Sequence, residues 1–136
     1  MNTSKIITGG LVAGLIMNIF DYIINIPWLG TQWIAGSVAR GIDPMTVPLG
    51  GAGWVIVDFA VGVFLVWLYA AIRPRFGAGP KTALIAGFAT WFLGHLIFFS
   101  HWFMGVFPIG LIASSSLGGI IPVLAAAFVG CGIYKE

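Results

Sequence analysis

Asn18, Asp21 and Asn25 follow one another at i, i+3 and i+7, a spacing that gathers three polar side chains on one stripe of a helix. They stand inside an apolar run, as do Asp58, His95 and His101 farther along the chain. A carboxylate in hydrocarbon costs at least about 2.5 kcal/mol on insertion scales, so an acid placed there faces a partner, a cavity or a ligand. Counted at the helical rise, Asp21 lies about 22 Å beyond Ile6, His95 about 20 Å beyond Thr82, and Asp58 about 6 Å below Trp54 from the opposite side. These depths coincide in the outer half of a bilayer. The expectation is a shared polar cluster of Asn18, Asp21, Asn25, Asp58 and His95.

Two chemistries fit that cluster. It could form an outward-facing cavity that holds a proton, a cation or a polar headgroup. Alternatively it is an internal hydrogen-bond network that fixes helix register, with Asp21 protonated or paired to His95. The donors do not make a metal set, and His101, six residues after His95, projects from another side of the same helix. A tetrapyrrole is a further candidate, with His95 as the ligand. Gly94 leaves room beside it, and Trp91, His95, Phe98 and Trp102 share one stripe. A bis-histidine haem would need a second deep histidine, so such a site would have to lie between subunits.

Catalysis has little support. The sequence holds no HExxH, no cysteine pair and no Ser-His-Asp spacing, and Gly50-Gly51-Ala52-Gly53 lacks the lysine a nucleotide phosphate requires. Cys131, alone between Gly130 and Gly132, reads as helix packing. The expectation is therefore a protein that is not an enzyme.

The elements that carry these residues follow from composition. Of 136 residues 60% are hydrophobic and 7% charged, with a mean hydropathy of +1.06, which places the chain outside the range of soluble domains. Six basic residues scattered at segment ends exclude a nucleic-acid partner. About 20 apolar residues cross a bilayer, and four stretches qualify: Ile6 to Leu29, Trp54 to Ile72, Thr82 to Met104, and about 110 to Tyr134. The last begins at Ile109, after Pro108, or at the Ser114-Ser115-Ser116 cluster. The first has no small-x-small cleavage site and reads as a retained span. The expected fold is an all-α integral membrane four-helix bundle in a single domain.

Lys5, Arg73, Arg75, Lys81 and Lys135 fall on one side and Arg40 alone on the other, which puts both termini in the cytoplasm. The stretch from Arg73 to Lys81, with two prolines and two glycines, reads as a tight turn. Between the first two spans, Trp33, Ile34, Val38 and Ile42 recur at helical spacing, predicting an interfacial helix over about 31–42. Gly41, Asp43 and Pro44 end it, and Pro48 to Gly53 returns the chain to the bilayer. A bend near Pro27 could join the first span to this helix. Gly10, Gly14, Gly118, Gly119 and Gly130 mark faces for close helix approach, and Pro122 is expected to kink the fourth span.

The opening Gly9-Gly10-Leu11-Val12-Ala13-Gly14-Leu15-Ile16-Met17-Asn18, followed by Asp21-Tyr22, resembles the start of small four-span bacterial inner-membrane proteins. That resemblance implies a bacterial inner membrane and no particular activity. The function expected from the residues is an accessory or scaffold subunit packing against lipid, a larger membrane complex or copies of itself. The alternatives are an oligomeric channel or proton- or cation-coupled carrier using Asp21 and Asp58, and a pigment- or haem-binding subunit using His95.

Overall fold

The computed structural model describes residues 1–43, 46, 49 and 52–135, and no strand occurs among them. Pro44 and, from the expected return turn, Pro48, Gly50 and Gly51 lie outside the described residues. Helix α1 (Thr3–Ile23) starts at Asn2, whose side chain accepts from the Lys5 amide and so satisfies one of the free donors of the first turn. It runs into a π-helical turn, Ile24–Trp28, that contains Pro27. Proline has no amide hydrogen to donate, and the wider turn accommodates that gap. Helix α2 (Gly30–Val38) follows after Leu29, shorter than the segment expected from the sequence.

Helix α3 (Ala52–Phe76) carries Pro74 in its last turn. The expected turn from Arg73 to Lys81 therefore contracts to Gly77–Gly79, where Gly77 and Gly79 take φ of 84° and 127°, angles that suit glycine. Helix α4 (Pro80–Phe98) has proline at its start, where no donor is lost. A short helix α5 (Ser100–Phe103) continues it. The fourth crossing is α6 (Ile109–Gly118) followed by α7 (Ile120–Ile133), so the Ser114 to Ser116 cluster lies inside α6 and does not cap a helix. The interruption falls at Gly119, one turn before Pro122, where the Gly118 carbonyl loses the amide donor that a proline lacks, so the expected kink is present.

Among the described residues, four stretches are long and apolar enough to cross a membrane: Thr3–Trp28, Ala52–Phe76, Pro80–Phe103 and Ile109–Ile133. Leu15, Ile23, Val57, Phe92, Ile97 and Phe128 are exposed on the outside of the bundle, as expected where lipid is the solvent. The protein is accordingly a multi-pass helical membrane protein.

Small residues hold the crossings together. Helix α1 packs chiefly on α3 and α7, and a Cβ on Gly62 would collide with the Gly10 carbonyl and the Gly14 amide. Gly10 lies against Val63, Gly14 against Phe59, and Gly9 against Gly130. Backbones that approach this closely gain dispersion contacts along their length, the main attraction available between helices in lipid. Ala13, Leu65, Val66, Ala70, Ala86 and Ala127 fill the core between them.

Asn2, Tyr134 and the α3–α4 turn meet at one end of the bundle, the basic end. The Tyr134 hydroxyl accepts from the Asn2 amide at 3.2 Å and the Tyr69 hydroxyl from the Gly79 amide at 3.1 Å. Their rings meet edge to face at 6.1 Å. At the distal end Arg40 donates to the Gly36 and Gly105 carbonyls, both at 2.8 Å, and lies over the Phe107 ring, fastening the end of α2 to the loop before α6.

Candidate functional site

The packing of α1 on α3 decides which polar residues meet. Gly14 and Gly62 bring the two helices into backbone contact, and one to two turns toward the distal end Asp21 and Asp58 come opposite each other. Their carboxyl groups lie within hydrogen-bonding reach of one another. A hydrogen bond between two carboxyls requires a proton on one of them, since an ionised carboxylate can only accept. Asp58 is 9% exposed and Asp21 is half-buried, so the pair sits within the α1–α3 contact and does not project into lipid.

Asn18 joins this group. Its amide nitrogen donates to the Gly14 carbonyl at 2.9 Å and reaches across to the Val55 carbonyl at 3.4 Å. Asn25 extends the stripe in the other direction: its amide nitrogen donates to the Asp21 carbonyl at 3.1 Å, and its side-chain oxygen accepts from Trp33 Nε1 at 3.1 Å. The stripe of Asn18, Asp21 and Asn25 thus connects three elements, α3 through Asn18 and Asp21, and α2 through Asn25.

His95 does not belong to the stripe, which corrects the expectation of a single shared cluster. Its Nδ1 is 2.9 Å from the Trp91 carbonyl, and because a carbonyl only accepts, Nδ1 carries the hydrogen. Its Nε2 faces the break between α6 and α7, where a Cβ on Gly119 would come within 2.6 Å of it. Depth along the span matched that of the aspartates, but depth says nothing about direction around the helix axis. The direction of α4 is set by Gly87 and its neighbours, which pack on Ala127 and Leu124 of α7.

This placement bears on the tetrapyrrole reading. The nitrogen left to ligate a metal faces the backbone of this same chain, and Trp91 lies over the imidazole at 5.3 Å. The donor geometry does not fit an axial ligand of a macrocycle seated on the exposed side of α4, even though Gly94 is open there. His101 is also tied locally, to the Phe98 carbonyl at 2.9 Å. Among the described residues no three histidine, cysteine or acidic side chains converge as a metal site.

Two links escaped the sequence reading. Trp33 on α2 bonds Asn25, and Trp91 on α4 donates to the Ser116 carbonyl at 2.9 Å across to α6. Both tryptophans looked like interface or packing residues, and only their ring nitrogens, which need an acceptor when buried, signalled more. Beside the second link the Ser116 hydroxyl is buried without a hydrogen-bond partner.

On the side of the α1–α3 contact, Leu15, Asn18, Ile19, Tyr22, Val55 and Phe59 bound a cleft of about 450 Å³ that opens outward. Asn18 and Tyr22 are its polar members, and each is a close neighbour of Asp21 on α1. The carboxyl pair lies behind this wall. No protein-family model, curated protein or solved structure matches this chain.

Proposed function

We propose that this protein is a small accessory subunit of a larger membrane assembly, docked through the distal cleft between α1 and α3. The observation that carries this reading is the cleft itself, an outward-facing gap with apolar walls and two polar side chains at membrane depth. The occupant would be a transmembrane helix of a larger subunit, bearing a hydrogen-bonding side chain at that depth. Between helices in lipid, affinity comes from close packing and interhelical hydrogen bonds, and Asn18 with the Tyr22 hydroxyl offers the second in a wall that provides the first. The basic residues orient the basic end toward the cytoplasm of a bacterial inner membrane on this reading.

Affinity purification of the full chain from its own membranes tests the reading. A larger subunit should co-purify in fixed ratio with the native protein and be lost with Leu15→Trp, which fills the cleft. Ile97→Trp, on the exposed face of α4, should retain it. Recovery of free monomer alone from the native protein would sink the proposal.

The facing carboxyls favour a second reading, a proton-coupled carrier in which Asp21 and Asp58 exchange a proton. Proton flux in liposomes that vanishes with Asp58→Asn supports that reading; absence of flux from the native protein removes it.

A further inference from the structure

A second cleft opens between α1 and α3 on the basic side of their crossing. It encloses about 640 Å³ and is lined by Ile7, Ala60, Phe64 and Trp67, with Met1 and Thr3 toward the end of the bundle. The walls are apolar, and the Phe64 and Trp67 rings lie tilted against each other at 5.7 Å, so the space suits a hydrocarbon chain. The exposed stripe of α3 that forms one wall, Ala60, Phe64 and Trp67, continues through Ala71 to Arg75, all on the same side of the helix and all exposed. Arg75 lies about 12 Å beyond Trp67 along the axis, at the level where the helix leaves the hydrocarbon. Lys5, although exposed, projects from the side of α1 opposite Thr3 and Ile7, away from the cleft, which leaves Arg75 as the basic residue in line with it.

Charge at this end is one-sided. Lys5, Arg73, Arg75, Lys81 and Lys135 gather where α1, α3, α4 and α7 start or finish, and the sequence supplies a single acid nearby, Glu136. A groove that takes an acyl chain and opens onto such a cluster complements one molecule abundant in a membrane, a phospholipid with a negatively charged headgroup. We infer that the cleft bounded by Ile7, Ala60, Phe64 and Trp67 is a binding site for an anionic phospholipid, with one acyl chain in the cleft and the phosphate on Arg75. The site is separate from the distal cleft and does not depend on the docking of a partner helix.

Native mass spectrometry of the delipidated full chain, with phosphatidylglycerol and phosphatidylcholine of identical acyl chains added in parallel, tests this inference. Phosphatidylglycerol should be retained as a single preferred adduct. Arg75→Gln should weaken its retention about fivefold, the contribution of one basic residue at a membrane surface, while phosphatidylcholine is unchanged. Arg75→Lys, which keeps the charge, should restore it. Ala60→Trp, filling the cleft, should remove the preferred adduct while circular dichroism shows the helices intact. Equal retention of the two lipids, or a preference untouched by either Arg75→Gln or Ala60→Trp, overturns the site.

Discussion

The basic half and the distal half of the bundle are held together by different physics. In the basic half α1, α3 and α7 touch backbone to backbone at Gly9, Gly10, Gly62 and Gly130, and the core is mostly alanine, valine and leucine, with the Tyr69 and Tyr134 hydroxyls bonded to the Gly79 and Asn2 amides at its extremity. Those helices run without interruption. In the distal half every crossing but α3 is broken, at Ile24–Trp28, at Phe99 and at Gly119. There the elements are joined mainly through side chains: Asn18 to Val55, Trp33 to Asn25, Trp91 to Ser116 and Arg40 to Gly105. Dispersion between smooth faces favours continuous helices, whereas directed polar contacts each demand a local orientation that a straight helix does not supply. The half with the more specific contacts is therefore also the half with the irregular backbone.

The comparison breaks most sharply at Gly62. A larger residue there has no rotamer that avoids α1, because the atoms it meets are backbone atoms of Gly10 and Gly14. Gly62→Leu should cost about 3 kcal/mol or more, the upper range for overpacking, or prevent the helices from assembling. Gly94→Leu, at a glycine that faces open space, should change stability by less than about 0.5 kcal/mol, as surface changes do. Thermal unfolding of both variants in one detergent measures the contrast. Comparable losses at the two positions would show that the basic half is not held by backbone approach.

These halves differed equally in how much of them could be read from sequence. The number of crossings and their approximate limits follow from the length of apolar runs, because a bilayer enforces a minimum span. Gly10 and Gly14 announce a close contact by spacing, although spacing does not name α3 as the partner. The facing of Asp21 and Asp58 was accessible through depth, since helices that start on opposite sides bring residues at matching heights together. The position of His95 was not, because rotation of α4 about its axis depends on which small residues it presents to α7. The break at Gly119 was legible in part: Pro122 has no amide hydrogen for the Gly118 carbonyl four residues back, and its ring crowds that carbonyl, so the helix gives way one turn before the proline. What the sequence does not show is that Gly119 also leaves the space that the imidazole of His95 occupies.

Gly119 therefore gives the second test. Gly119→Ala places a methyl group 2.6 Å from His95 Nε2 and should destabilise the fold by about 1–3 kcal/mol. Pairing it with His95→Ala should recover most of that loss, because the smaller side chain vacates the contested volume. A double-mutant cycle by thermal unfolding measures the coupling. Additive losses would show that Gly119 and His95 do not compete for that space.

The smallest expected effect tests whether polar contacts in the distal half carry energy or only direction. Trp33→Phe removes the donor to Asn25 while leaving a ring to pack on Phe107, now 5.0 Å away edge-on, and on Phe98 at 6.0 Å. Side-chain hydrogen bonds within membrane proteins average about 0.6 kcal/mol, so stability should fall by roughly that amount. The larger consequence should be geometric. Without that bond, α2 is anchored to α1 only by the backbone through Leu29 and by ring packing, so hydrogen exchange over Gly30–Val38 should quicken while α3 and α7 stay protected. A loss well above 1 kcal/mol with unchanged exchange in α2 would mean that the bond stabilises the bundle as a whole, and that the two halves are less distinct than their contacts suggest.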